Sequence, residues 1–143
     1  MAEAFLRRFM GDDVQVASAG TIAADRCDPG VVAAMAEMDM DISAARPTLL
    51  DPAIVARADR IITMGCDVEG VPRFDDDWGL PDPKDQSPER IREIRSRVCR
   101  KAGNLAKELL KPASMLDRER RNRDRDPKHE AEHERPHSRA QKI

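Results

Sequence analysis

The chain has 143 residues, of which 40% are hydrophobic, 36% are charged and only 3% are aromatic, and its net charge is −2. This length predicts a single domain, and the near-neutral charge argues against a chain that binds nucleic acid along its whole length. No run of about 18 apolar residues occurs, so we expect no membrane span. Three cysteines at irregular spacing indicate the reducing cytoplasm rather than a framework of disulfides.

The first half of the chain is predicted to contain helices and a strand. Residues 1–9 place their apolar side chains on one helical face, and Val14–Ser18 alternates as a short strand does. Asp-Pro pairs at Asp28 and Asp51 predict two helix starts, because aspartate is a good N-cap and proline suits the first helical position. The helix after Asp28 is expected to reach about Met38. Its predicted core stripe consists of Val31, Val32, Met35 and Met38.

The second half is predicted to contain two strands and a long helix. The strands are expected at Ile61–Met64 and Val71–Phe74, and the helix runs from Ser87, its N-cap, to about Lys111. Strands that alternate with helices indicate an α/β fold with a parallel sheet. Ligands of such folds lie beyond the carboxyl ends of the strands.

Two residues at these strand ends are the candidate site residues, Cys66 and Asp82. Asp82 lies between Pro81 and Pro83. Each proline fixes its own φ and restricts the residue before it, which leaves the aspartate little freedom. A carboxyl group held still in a loop suits general acid catalysis. The alternative is a proline-rich connector with an exposed aspartate.

The composition changes near the end of the chain. Residues 117–143 hold nine Lys or Arg and seven Asp or Glu with almost no apolar side chains. We therefore expect a folded domain over 1–111 and a charged, disordered tail over 112–143. The tail contains H-E-A-E-H at 129–133, which matches the zinc-protease pattern H-E-x-x-H. That pattern requires a buried helix and a third ligand, so we expect no metal site.

Five segments resemble a known family in their order and spacing: MAEAFLRR, VxxxSAGT, ADRIITMGC, DDDWGLPDP and ERIREIR. Together they resemble the low-molecular-weight tyrosine phosphatase superfamily, and specifically its arsenate reductase branch, from residue 1 to about residue 110. The resemblance implies a three-layer α/β/α fold with a small parallel sheet. It also implies an enzyme of arsenic detoxification, which reduces the oxyanion arsenate to arsenite at the expense of thiols.

The resemblance assigns roles to both candidates. Asp82 matches the general acid that protonates the leaving oxygen. Cys66 matches a second redox cysteine, which attacks the arsenate adduct of the first cysteine and releases arsenite; its alternative is a small residue at a strand end. Cys27 and Cys99 match no role, and we expect them to be structural.

The family's nucleophile is expected to be missing from the numbered chain. It belongs to a Cys-x5-Arg loop that follows the first strand and holds an oxyanion with backbone N–H groups at a helix N-terminus. By the resemblance, Met1 matches a residue just after that loop. We therefore expect the chain as numbered to start at an internal methionine of a longer protein, to lack the first strand and to be inactive.

The resemblance also bears on the reductant. Thioredoxin-coupled reductases carry a third cysteine, but positions 67–98 contain none. This favours a small-molecule thiol or an external redoxin as reductant, with no bound cofactor. Two rival functions stay open: phosphomonoester hydrolysis on tyrosine, and a non-catalytic remnant that binds a partner through its charged tail.

Overall fold

The helices and strands follow the predicted order, apart from the strand expected at Val14–Ser18. The computed structural model describes residues 1–22, 24–65, 71 and 73–111. In these ranges the α-helices and strands are α1 (Ala2–Met10), α2 (Pro29–Ala36), α3 (Pro52–Arg57), β1 (Ile62–Thr63), β2 (Asp76–Asp77) and α4 (Pro88–Leu109), and a 3-10 helix at Gly11–Asp13 directly follows α1. None of the helices in these ranges is long and apolar enough to cross a membrane. The predicted tail at 112–143, with its histidine motif, lies outside the described residues, and the proposed domain boundary stays a prediction.

Side-chain caps start three of the helices at the predicted positions. Asp28 caps α2, because its Oδ1 accepts the N–H groups of Gly30 at 2.8 Å and Val31 at 3.1 Å. Asp51 caps α3 by accepting the Ala53 N–H at 2.8 Å. At the start of α4 the Ser87 hydroxyl accepts the N–H of Arg90 at 3.2 Å. These caps satisfy N–H groups that a helix leaves without intrahelical partners.

The core is built between α1, α2 and α4. Each helix contributes one fully buried large side chain: Phe5, Met35 and Ile94. Helices α2 and α4 approach closely at Gly30, where an added Cβ would lie 2.8 Å from Ile91 Cδ1. Helices α2 and α4 therefore pack against each other at this point, and Phe5 of α1, Met35 of α2 and Ile94 of α4 are buried on their apolar faces.

The sheet consists of two parallel strands. Ile62 lies opposite Asp76 and Thr63 opposite Asp77. The ladder extends before both strands, because the Asp75 N–H donates to the Ile61 carbonyl oxygen at 2.8 Å. The predicted α/β class with a small parallel sheet is therefore confirmed, and β1 falls inside the predicted range 61–64.

Two of the predicted strands are wrong. The described residues of the strand expected at Val71–Phe74, which are 71, 73 and 74, form no strand, and the partner of β1 is Asp76–Asp77. Pairing with β1, and not the apolar run, decides where the ladder forms. Val14 has extended backbone, with φ −137° and ψ 131°, but Val14–Ser18 pairs with no strand among the described residues. Its Val16 carbonyl accepts the Arg7 guanidinium at 3.0 Å instead. Alternation predicts an extended chain, whereas a strand also needs a partner.

The predicted stripe of the second helix is partly wrong as well. Helix α2 ends at Ala36, and Met38 is 37% exposed beyond its end. Val31 and Met35 are buried as expected. The chain leaves the helix early at Glu37, the C-cap residue, which takes part in a set of ion pairs with α4.

The Glu37 carboxylate joins α2 to α4. It accepts Nε and Nη2 of Arg92 at 2.9 and 2.7 Å, and Nη1 of Arg95 at 2.7 Å. Arg95 also donates to the Ala34 carbonyl near the end of α2, where a cation is favoured by the helix dipole. The hydrogen bonds from Arg92 and then Arg95 lower the pKa of Glu37 to about 2.

We expect this carboxylate to make stability depend on acid pH. Because folding lowers the pKa of Glu37 from 4.5 to about 2, its contribution is complete above pH 4.5 and is lost as the pH falls toward 2. Glu37→Gln should therefore lower the melting temperature at pH 7, and the difference from the unmodified protein should shrink at pH 2–4.5. Glu93→Gln, which removes an exposed pair within α4, is the control. A difference that is constant with pH would contradict the assignment.

Candidate functional site

Asp82 lies in an exposed loop that follows β2, and we call residues 79–86 the Asp82 loop. The loop begins with a turn in which the Gly79 N–H donates to Asp77 Oδ1 at 3.1 Å. Gly79 has φ +55°, a left-handed conformation that glycine adopts without strain. These features turn the chain out of the sheet immediately before the two prolines.

The carboxyl group of Asp82 is oriented by its own loop. Its Oδ1 accepts the Lys84 N–H at 2.9 Å. The next turn is closed by the Gln86 N–H, which donates to the Pro83 carbonyl at 3.3 Å. Asp82 is exposed, so the carboxylate is both held by a backbone donor and accessible to a solute.

The sheet ladder fixes the base of this loop. Beyond β2, the Trp78 N–H donates to the Thr63 carbonyl at 2.9 Å, and the Leu80 N–H donates to the Met64 carbonyl at 3.0 Å. Leu80 is therefore held against the end of β1, only two residues before Asp82. Since β1 and β2 are parallel, this is the carboxyl edge of the sheet, where ligands bind in α/β folds.

The structure locates one of the two predicted site residues. Asp82 lies at the predicted edge of the sheet, whereas Cys66 lies outside the described residues and its role stays a prediction. Sequence reasoning missed Trp78, which is 4% exposed and anchors the start of the loop. The signal for it was available, because the only tryptophan of the chain directly precedes a glycine turn and a Pro-Asp-Pro loop.

The two cysteines without an expected role are free thiols. Cys27 and Cys99 are both partly buried, and the Cys27 thiol donates to the Ala45 carbonyl at 3.5 Å. Within the part of the chain that the structure describes, no group of three or more His, Cys, Asp or Glu side chains could hold a metal ion. At the carboxyl edge of the sheet, the described candidate side chain is the exposed carboxyl group of Asp82.

Comparison with known families identifies the chain. The sequence profile described as "Low molecular weight phosphotyrosine protein phosphatase" matches residues 1–115. The chain belongs to this family. Its α/β fold with a small parallel sheet is thus the low-molecular-weight phosphatase-like fold that the resemblance implied.

Within the low-molecular-weight phosphatase family, the chain is similar to arsenate reductases. A "Putative arsenate reductase" of Halobacterium salinarum is 34% identical over 108 residues, which cover 72% of this chain and 75% of that protein. An arsenate reductase of Bacillus cereus is 31% identical over 104 residues, covering 68% and 77%. The resemblance to the arsenate reductase branch is confirmed.

A solved structure supports the same relation. An arsenate reductase in its phosphate-binding state superposes with a TM-score of 0.65 and is 29% identical, covering 75% of this chain and 86% of that one. That arsenate reductase, which is 29% identical to this chain, was therefore solved in a state that binds the oxyanion phosphate.

Proposed function

We propose that this chain forms the larger part of a thiol-dependent arsenate reductase, which reduces arsenate to arsenite. The similarity to arsenate reductases carries the proposal. The position of Asp82 adds to it, because an exposed carboxyl group at the carboxyl edge of a parallel sheet lies where an oxyanion would be bound. The substrate in this proposal is arsenate, held as an oxyanion beside the Asp82 loop.

In the proposed reaction, Asp82 is the general acid and Cys66 is the second thiol. A thiolate attacks arsenic and displaces an oxygen, which Asp82 protonates so that it leaves as water. Cys66 gives up its thiol proton to an oxygen on arsenic, and the resulting thiolate attacks the sulfur of the adduct. The sulfur–arsenic bond breaks, its electron pair reduces As(V) to As(III), and the two sulfurs form a disulfide while arsenite leaves.

The first nucleophile in this proposal belongs to a Cys-x5-Arg loop that follows a further strand, and the 143 residues contain no Cys-x5-Arg. The open sheet supports this, because β2 is the one strand neighbour of β1 among the described residues. The segment Val14–Ser18 has extended backbone at Val14, and it pairs with no strand among the described residues. A further strand would satisfy backbone groups that an open edge exposes.

The reductant in this proposal is an external thiol. Because positions 67–98 contain no cysteine, the chain offers no third thiol there to take over the disulfide from Cys66. A small-molecule thiol or a redoxin would reduce it by thiol–disulfide exchange. Such thiols are kept reduced in the cytoplasm, where we place the protein.

Phosphomonoester hydrolysis is the second candidate, because the family to which the chain belongs is described as a phosphotyrosine protein phosphatase. The same acid would then protonate the alkoxide or phenoxide that leaves phosphorus. No redox step occurs in that reaction, so Cys66 would have no chemical role.

The test is made on the protein purified from its native cells. Its intact mass is compared with the 16.0 kDa of the present chain, and arsenite formation with added thiol is compared with hydrolysis of p-nitrophenyl phosphate. We expect a larger mass and arsenite formation. Hydrolysis of the aryl phosphate without arsenate reduction would favour the phosphatase. A mass of 16.0 kDa with neither activity would favour the non-catalytic remnant.

A further inference from the structure

Gly65, the last described residue before Cys66, touches the Asp82 loop through backbone atoms. It has φ +103°, which side-chain-bearing L residues rarely adopt. A Cβ at this position would lie 2.9 Å from the Leu80 nitrogen and 3.0 Å from the Gly79 Cα. Both of these atoms belong to the main chain, so neither can rotate away as a flexible side chain would.

The contact at Gly65 involves the hydrogen bond between Leu80 and Met64, which follows the paired strands β1 and β2. The Leu80 nitrogen, which is nearest to the missing Cβ, is the same atom that donates to the Met64 carbonyl at 3.0 Å. A side chain at position 65 must therefore lengthen this hydrogen bond or move the loop. Glycine is required at this point by both its φ angle and the space available.

A shift at Leu80 reaches Asp82 directly. Only Pro81 lies between them, and its ring fixes the intervening φ angle. The carboxyl group accepts the Lys84 N–H at 2.9 Å, so its orientation is tied to the main chain of the loop. The position of the carboxyl group thus depends on how closely Leu80 is held against Met64 and Gly65.

We propose that Gly65 is a positioning residue for the reaction, because it lets β1 hold the base of the Asp82 loop where the Asp82 carboxyl group reaches the leaving oxygen. This inference rests on the proposed function, in which Asp82 is the general acid. In this role Gly65 determines the position of the Asp82 carboxyl group through Leu80 and does not touch the substrate. A misplacement of about 1 Å in an active-site group can lower a rate on the order of a hundredfold.

The contact itself is tested without an activity assay. Hydrogen exchange of the Leu80 amide is measured in the native protein and in its Gly65→Ala variant. We expect about tenfold faster exchange at Leu80 in the variant, since its hydrogen bond is weakened. Gly11→Ala is the matched control, because Gly11 also has positive φ, +57°, but has open space around its Cβ direction. Unchanged exchange at Leu80 in Gly65→Ala would overturn the proposal.

The positioning role is tested by a double-mutant cycle in the native protein. We expect Gly65→Ala to lower kcat for arsenate reduction about a hundredfold with little change in KM, and to add no further loss in the Asp82→Asn background. An equal loss in both backgrounds, or no loss in either, overturns the proposal. If Asp82→Asn alone has no effect, the failure belongs to the proposed general acid, and the positioning role falls with it.

A second variant covers the case in which Gly65→Ala does not fold. Asp77→Ala removes Asp77 Oδ1, which accepts the Gly79 N–H at 3.1 Å. The smaller side chain introduces no steric clash. It loosens the same base of the Asp82 loop, so its loss of kcat should also disappear in the Asp82→Asn background. A loss that persists there overturns the proposal.

Discussion

Asp82→Asn is expected to lower kcat for arsenate reduction by about 10² to 10⁴ in the native protein, the usual contribution of a positioned general acid. Asparagine keeps the size of the side chain and the oxygen that accepts the Lys84 N–H, but it cannot supply a proton to the leaving oxygen. KM should change little, because the loss concerns the transition state. Steady-state kinetics of arsenite formation measure both constants.

The matched control is Asp85→Asn. Asp85 belongs to the same exposed loop and has φ +57°, a conformation that asparagine tolerates well. The Asp85→Asn substitution removes a carboxyl group three residues from Asp82, so it measures any general electrostatic effect on the approach of an anion. Equal losses in both variants, or an unchanged kcat in Asp82→Asn, would show that Asp82 is not the acid.

The second large effect is expected at Cys66. Cys66→Ser should lower kcat for arsenate reduction on the order of 10³-fold or more. A hydroxyl group cannot form the disulfide with the first cysteine whose formation releases arsenite. Any hydrolysis of an aryl phosphate that the unmodified protein shows should persist in the same variant, since hydrolysis has no redox step. This split between the two reactions separates a lost thiol from a misfolded protein.

Cys99→Ser is the control for Cys66→Ser. Cys99 is a partly buried free thiol on α4, and the proposed mechanism gives it no role, so its variant should reduce arsenate at the unmodified rate. Should Cys66→Ser also reduce arsenate normally, an external thiol must release arsenite directly from the first cysteine. The role proposed for Cys66 would then be wrong.

The helices could be predicted from the sequence because their signals are local. Asp28 and Asp51 each precede a proline, and a short polar side chain followed by a fixed φ starts a helix almost independently of its surroundings. The end of α2 was harder, because Glu37 leaves the helical pattern to meet two arginines of α4. That pairing joins residues more than fifty positions apart and has no local signal.

The strands could be predicted only in part, because a β-ladder needs two segments of the chain to pair in register. The apolar run at Ile61–Met64 contains β1, but its partner is the acidic pair Asp76–Asp77, whose residue type disfavours strands. The same limit applies to the site. The rigid Pro-Asp-Pro frame of Asp82 could be inferred from sequence, whereas the contact of Gly65 with Leu80 depends on how two distant segments meet.

The burial of Trp78 provides the protein with its own optical probe. Trp78 is the only tryptophan of this chain, which contains no tyrosine, so the ultraviolet emission of the chain comes mainly from this one indole ring. The ring is 4% exposed, and its main chain is bonded to β1 directly before the Asp82 loop. Any event that admits water beside the ring should shift the emission to longer wavelengths. Unfolding of this chain can therefore be timed by rapid mixing without attaching a dye.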